Sequence, residues 1–144
     1  MITIRPLEEG DAAELALIEQ ECFSQPWSEK SFRDLLTHSY CRYLVAVADG
    51  KIAGFCGYTN LGGEADIDHV FVAPAYRRQQ IADRLMQETL RMGKEEGVEA
   101  FTLEVRVSNI PAIRLYEKYD FVSEGIRPRF YEFPTEDAMI MWRR

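Results

Sequence analysis

The chain has little of what secreted, membrane-spanning and nucleic-acid-binding proteins depend on. Its three cysteines, Cys22, Cys41 and Cys56, are odd in number and lack metal-like spacing, which predicts reduced thiols in the cytoplasm. No apolar run approaches the roughly 20 residues that span a bilayer, and the acidic residues near the start predict no signal peptide. With 24 acidic and 17 basic residues, the net charge is −7, which argues against nucleic-acid binding.

Two common kinds of catalytic site are also missing from the sequence. No group of His, Cys, Asp and Glu has the spacing of metal ligands, so no metal is expected. There is no nucleophile elbow and no Ser-His-Asp set. His38 and His69 stand alone, and each favours a structural role over a ligand role.

What is present predicts one α/β domain over residues 1–144. The hydrophobic fraction of 47% is sufficient for a substantial core. Apolar spacing and turn residues predict the order β-α-α-β-β-β-α-β-α-β-β, which implies one mixed sheet flanked by helices. The last two strands, 121–126 and 137–142, are expected to be joined by an aromatic loop over 127–134.

The most informative segment runs from Val70 to Leu85. An apolar strand ends at Pro74, and a short basic turn with Arg77 and Arg78 leads into an amphipathic helix. Free backbone N–H groups at a helix start, together with two arginines, can hold a pyrophosphate. The alternative is an ordinary strand-to-helix turn with solvated arginines, and the turn alone does not decide between them.

Two later side chains are candidates for proton transfer. Strand alternation places Glu104 on the same face as Arg106, so it is either a general base on a rigid strand or a solvent-facing carboxylate paired with that arginine. Tyr116 lies on a predicted helix, where it is either a core aromatic or a proton donor. Asp66 and Asp68 alternate with Val70 on one strand and are competing bases.

Four stretches together resemble the GNAT superfamily of acetyl-CoA-dependent N-acetyltransferases. Residues 77–82 match its phosphate motif, and residues 26–32, 103–109 and 112–117 are similar to bacterial ribosomal-protein-alanine N-acetyltransferases within it. The resemblance implies the GNAT acyl-CoA N-acyltransferase fold. That fold has a mostly antiparallel central sheet with a parallel pair at the cofactor site and about four flanking helices.

The resemblance also implies site residues. Glu104 matches the general base and Tyr116 the general acid. The residues that match the acetyl-CoA site are Val70, Phe71, Val72, Arg77, Arg78, Gln79, Gln80, Ile81, Ala82, Asp83 and Asn109. Those that match the walls of the acceptor groove are Trp27, Ser28, Phe32 and Tyr131. Gln80 and Asp120 stand where the family has glycine, a residue that adopts left-handed backbone conformations without steric cost.

The implied reaction is transfer of acetyl from acetyl-CoA to a protein N-terminus by direct attack, and the acceptor is expected to be a basic ribosomal protein. Two alternatives stay open. The acceptor could be a lysine side chain or a small amine. Alternatively, because of Gln80, the chain could be a non-catalytic module that binds a peptide and holds coenzyme A weakly.

Overall fold

The structure, a computed structural model describing residues 1–144, is built on one seven-stranded sheet in the order β1-β2-β3-β4-β5-β7-β6. The strands are β1 (Ile2–Pro6), β2 (Cys41–Ala48), β3 (Lys51–Leu61), β4 (Glu64–Val72), β5 (Ala100–Arg106), β6 (Val122–Tyr131) and β7 (Glu136–Arg143). The helices are α1 (Ala12–Cys22), α2 (Glu29–Leu35), α3 (Ile81–Glu95) and α4 (Ile110–Lys118). Along the chain, these strands and helices follow each other in the order that the sequence predicts.

Every neighbouring strand pair is antiparallel except β4 and β5, which confirms the predicted mixed sheet. The helices cover both faces. Side chains of α3 and α4 pack in a cluster of 19 buried residues on one face, and those of α1 and α2 in a cluster of 11 on the other. Gly93 lets α3 approach β5 closely, since a Cβ there would lie 2.4 Å from the ring of Phe101.

The sheet splits at its centre. The parallel pairing of β4 with β5 covers three residue pairs and ends at Asp66 and Thr102. Next to this point, residues 67 and 68 of β4 together oppose the single residue Tyr58 of β3. Such a bulge bends its strand and increases its twist. Beyond it β4 and β5 diverge, and a cleft opens between them.

The bulge also corrects a sequence expectation. Simple alternation would put Val70 on the same face as Asp66 and Asp68. In the structure, Ile67 packs in the cluster under α3 and α4, and Val70 packs against the same cluster, although the two lie three positions apart. Val70 and Asp68 therefore point to opposite faces, because the extra residue reverses the alternation.

The connection between β6 and β7 is shorter than expected. The segment predicted as an aromatic loop over 127–134 is strand as far as Tyr131, which pairs with Glu136, while Arg127 pairs with Ala138. A register shift between Arg127 and Tyr131 accommodates the extra residues. The expected loop is wrong because aromatic residues that have a partner strand are good strand formers.

Several helix ends follow the sequence signals. The side chain of Ser28 caps α2, and that of Asn109 caps α4 by accepting the N–H of Ala112. The two non-glycine residues at family glycine positions both have left-handed backbone, with φ of 60° at Gln80 and 70° at Asp120. Both conformations are disfavoured for a residue with a Cβ.

Candidate active site

The cleft between β4 and β5 holds a cavity of about 340 Å³. One wall comes from β4 and the other from β5, and the ends of α1, α4 and β6 close the remaining sides. Its lining residues are Phe23, Ser24, Gln25, Ile67, Asp68, His69, Val70, Leu103, Glu104, Val105, Arg106, Asn109, Tyr116 and Tyr131. The two predicted proton-transfer residues thus share one cavity.

Glu104 is free to take up a proton. Its neighbours Leu103 and Val105 are buried on the core face of β5, which leaves Glu104 on the open face. The expected alternative, a pair with Arg106, is wrong. Arg106 instead binds Glu136 at 3.2 Å and donates to backbone carbonyls of the β6–β7 turn. The Glu104 carboxylate makes no hydrogen bond or ion pair within the protein.

Tyr116 is 8% exposed, yet its hydroxyl is not sealed in the core. No fully buried side-chain nitrogen or oxygen lacks a hydrogen-bond partner, and the Tyr116 hydroxyl makes no hydrogen bond within the protein. The hydroxyl is therefore open to the cavity that Tyr116 lines. Burial, with smaller effects from Cys56 and Tyr131, raises the pKa of Tyr116 well above its usual value, so the phenol keeps its proton.

The competing bases are placed differently. Asp68 accepts hydrogen bonds from the hydroxyls of Tyr43 at 2.5 Å and Thr59 at 3.0 Å. Asp66 lies outside the cavity, in an adjoining groove that it shares with Glu104. Burial, together with Asp68 and Glu104, raises the pKa of Asp66 to about 6. The groove is acidic, with four carboxylates and one arginine among its lining residues: Glu64, Asp66, Glu104, Glu124 and Arg127.

We expect Asp66→Asn to raise the Tm, and the gain to depend on pH. The folded pKa of about 6 lies above the ordinary value of 3.8, so ionised Asp66 destabilises the fold above pH 6 and protonation removes this penalty as the pH falls toward 4. The Tm difference between variant and wild type should be largest at pH 8 and vanish near pH 4, measured by thermal denaturation. A Tm difference that grows as the pH falls would contradict the raised pKa of Asp66.

The turn before α3 has a row of unused donors. The first backbone hydrogen bond of the helix runs from Arg84 N–H to Gln80 C=O, and no backbone or side-chain acceptor binds the six N–H groups of residues 78–83. Arg78 and Gln80 have positive φ, of 67° and 60°. Successive N–H groups with alternating backbone handedness form a concave anion-binding nest, which the helix dipole reinforces.

The charges around this nest favour an anion. Arg77 and Arg78 make no ion pair. Asp83, the one acidic residue in the first turn of α3, is held by Lys118 at 2.5 Å and by the Tyr119 hydroxyl at 2.9 Å. These contacts lower the pKa of Asp83, the hydrogen bond from Lys118 contributing most, and offset its negative charge. The residues predicted to hold a pyrophosphate therefore form a suitable cradle.

The predicted segment 70–72 offers backbone donors at the cleft. Ala73 N–H donates to Ala53 of β3, so by alternation Phe71 N–H also points to β3, while those of Val70 and Val72 point to the edge that β5 has left open. The side chain of Phe71 is buried under α1 and α2. Asn109 reaches the cavity, although its side-chain oxygen already caps α4.

Of the four predicted acceptor residues, the structure brings one to the cavity. Tyr131 lines it, and burial followed by the charge of Glu104 raises its pKa to about 12. Ser28 caps α2, and Phe32 is fully buried in the core. Trp27 stacks on His69, with ring centroids 4.1 Å apart, and does not line the cavity.

Sequence reasoning missed one pair of side chains at the site. Glu19 of α1 is fully buried and lies 2.6 Å from Nε2 of His69, which lines the cavity. A signal was available, since Glu19 falls at helical spacing among the apolar residues Leu15, Ile18 and Cys22. A carboxylate on the buried face of a helix requires a donor, and His69 provides one.

The structure contains no group of three or more His, Cys, Asp or Glu residues that could hold a metal ion. None of its helices combines the length and the apolar character needed to cross a membrane. All three cysteines are unpaired.

Comparison with known proteins identifies the family. Residues 12–121 match the model of the Acetyltransferase (GNAT) family. The Escherichia coli [Ribosomal protein bS18]-alanine N-acetyltransferase is 36% identical over 98% of this chain and 96% of its own length. The N-alpha-acetyltransferase RimI of Mycobacterium tuberculosis is 32% identical over 99% of this chain and 92% of its own.

A solved structure matches as well. The crystal structure of the ribosomal-protein-S18-alanine N-acetyltransferase from Escherichia coli superimposes with a TM-score of 0.91 at 34% identity. The superposition covers 99% of this chain and 92% of that one.

Proposed function

The chain belongs to the GNAT family and is an acetyl-CoA-dependent N-acetyltransferase, and we propose that it acetylates the α-amine of a protein N-terminus, that of an alanine on a basic ribosomal protein. The observation that carries this proposal is the shared cavity, in which an unpaired carboxylate and an open, protonated phenol lie beside unused backbone donors. A ribosomal acceptor would place the reaction in the cytoplasm. The Escherichia coli relative, whose name gives an alanine of ribosomal protein bS18 as its acceptor, supports this choice of substrate.

The residues present fit acetyl-CoA. The nest of residues 78–83 suits its pyrophosphate, and Arg77 and Arg78 add positive charge. The N–H groups of Val70 and Val72 on the open edge of β4 suit the carbonyl groups of an extended arm. When bound, acetyl-CoA supplies the acetyl group as a thioester.

Gln80→Gly is expected to tighten coenzyme A binding severalfold. Glycine removes the Cβ and side chain beside the N–H groups of the nest, which lets the backbone approach the pyrophosphate more closely. Titration calorimetry with coenzyme A measures the effect. Gln79→Gly is the matched control, since residue 79 has no positive φ and glycine there only adds flexibility. Weaker binding by Gln80→Gly would instead show that the Gln80 side chain holds the cofactor.

The cavity residues can carry a direct transfer. Glu104 accepts a proton from the attacking amine, directly or through a water molecule, as the new N–C bond forms. An N–H group of Val70 or Val72 donates to the carbonyl oxygen that gains negative charge. Tyr116 donates its proton to the sulfur as the C–S bond breaks. Since all three groups act in one complex, no covalent enzyme intermediate is required.

An α-amine suits this single-carboxylate arrangement better than lysine does. The pKa of an α-amine is near 8 and that of lysine near 10.4, so at neutral pH about 250 times more of the α-amine is already neutral. The acidic groove beyond Glu104 complements a basic peptide. Both properties favour the flexible N-terminus of a basic protein.

Competing peptides test the proposal. One is a basic peptide with a free N-terminal alanine and no lysine, and the other is the same sequence with a blocked N-terminus and one lysine. We expect kcat/KM for the free α-amine to exceed that for the lysine by about 100-fold at pH 7. Equal kcat/KM values for the two peptides would favour the alternative in which the acceptor is a lysine side chain or a small amine. If the peptides bind and neither is acetylated, the alternative of a non-catalytic peptide-binding module would be favoured.

A further inference from the structure

One polar group on the cavity wall has no role in the transfer described above. His69 on β4 lines the cavity with a side chain that is 13% exposed, and its Nε2 lies 2.6 Å from a carboxylate oxygen of Glu19. The other oxygen of Glu19 accepts the backbone N–H of Trp27 at 2.9 Å. A fully buried carboxylate requires a donor at each oxygen, so Nε2 of His69 carries the hydrogen. In the neutral ring, Nδ1 is then a bare acceptor.

This acceptor is open to solvent on a residue that lines the cavity. Nδ1 makes no hydrogen bond within the protein, whereas every fully buried side-chain nitrogen and oxygen has a partner, so solvent reaches Nδ1. Aromatic rings enclose the imidazole elsewhere. Trp27 stacks on it at 4.1 Å, and four further ring centroids lie between 5.4 and 6.4 Å away, those of Phe23, Phe32, Phe55 and Phe71. His69 and Glu104 line the same cavity.

His69 differs from the other side chains on the β4 wall. Asp68 already accepts hydrogen bonds from Tyr43 and Thr59. Ile67 and Val70 are apolar. Nδ1 of His69 is therefore the side-chain acceptor on the wall opposite Glu104 that makes no hydrogen bond within the protein.

We propose that His69 binds the acceptor amine: its Nδ1 accepts a hydrogen bond from the amino nitrogen, and Glu19 holds the ring in the tautomer that makes this possible. The inference rests on the proposed function, since it requires an amine to enter this cavity. Glu104 on β5 removes the proton, while His69 on β4 fixes the direction of a remaining N–H. No covalent bond forms or breaks at His69.

Glu19→Gln tests the tautomer with little change in shape. The amide oxygen of the substituted side chain must still accept Trp27 N–H, so its NH₂ group faces Nε2 of His69. Nε2 must then accept and the hydrogen moves to Nδ1, which turns an acceptor into a donor. We expect kcat/KM for the acceptor to fall about ten- to a hundredfold, with the KM for acetyl-CoA unchanged. His38→Gln, at an exposed position outside the cavity, is the control.

Nitrogen-15 NMR gives a readout that does not depend on turnover. The chain has two histidines, so His38→Gln assigns the signals of His69. The wild type should show the Nε2–H tautomer at pH 8, and Glu19→Gln the Nδ1–H tautomer. Titration with the free-alanine peptide should shift Nδ1 of His69, while the N-acetylated peptide should not.

The outcomes separate the two claims. Three results would each overturn the role of His69. The first is a wild type in the Nδ1–H or imidazolium form at pH 8, and the second is an Nδ1 signal that does not shift with the free amine. The third is an Nδ1–H tautomer in Glu19→Gln whose kcat/KM for the acceptor stays within twofold of wild type. If a lysine or small amine proves to be the acceptor, the proposed function fails, and the same comparison is made with that amine. The NMR titration decides the matter even where turnover is absent.

Discussion

Replacing Glu104 with glutamine is expected to lower kcat by about 100- to 1,000-fold with a free-α-amine peptide. Glutamine keeps the size and the hydrogen-bonding capacity of the side chain but cannot take up a proton. Glu104 has no partner within the protein, so the substitution leaves no donor unsatisfied and folding should be unaffected. Steady-state kinetics and a thermal melt of the same sample measure both effects.

The pH dependence makes this prediction sharper. The acceptor α-amine has a pKa near 8, so a growing fraction is neutral as the pH rises, and the need for a base declines. The defect of Glu104→Gln should therefore shrink between pH 7 and pH 9.5. Glu117→Gln is the matched control, because Glu117 is exposed on α4 and makes no side-chain contact with the cavity. Wild-type kcat in Glu104→Gln at pH 7 would remove Glu104 as the base.

Local patterns predict the helices and strands and the placement of several side chains at the candidate site. The alternation along residues 102–106 is a property of the strand itself, so the open face of Glu104 follows from the sequence. The same holds for the helix caps at Ser28 and Asn109, whose side chains bind N–H groups three residues away. The nest also depends on a contiguous segment, 78–83, and its position before α3 could be read directly.

What the sequence did not reveal depends on distant partners. The bulge in β4 exists only relative to β3, so strand alternation alone predicts the wrong face for Val70. Phe32 matches an acceptor segment, but only the packing of α2 on the sheet shows that its side chain is fully buried. The pairing of Glu19 with His69 joins residues 50 positions apart, and that separation hides the one buried carboxylate that touches the cavity wall.

Replacing Tyr116 with phenylalanine is expected to lower kcat about 10- to 100-fold while the acceptor KM changes little, since the hydroxyl acts on the leaving sulfur and not on the amine. The hydroxyl has no partner within the protein, so its loss leaves no buried group unsatisfied. Tyr58→Phe is the control. Tyr58 belongs to the same core cluster as Tyr116 but does not line the cavity, and its hydroxyl binds Glu96.

The raised pKa of Tyr116 adds a second test of the same residue. An acid must hold its proton to act, and burial raises the pKa of this phenol above the ordinary value of 10. Wild-type kcat should therefore not fall between pH 7 and pH 9.5 through loss of this proton. The defect of Tyr116→Phe should stay constant over that range, whereas that of Glu104→Gln shrinks, so the two profiles separate donor from acceptor. An unchanged kcat in Tyr116→Phe would mean that water protonates the sulfur, and Tyr116 would then be a core residue at the edge of the cavity.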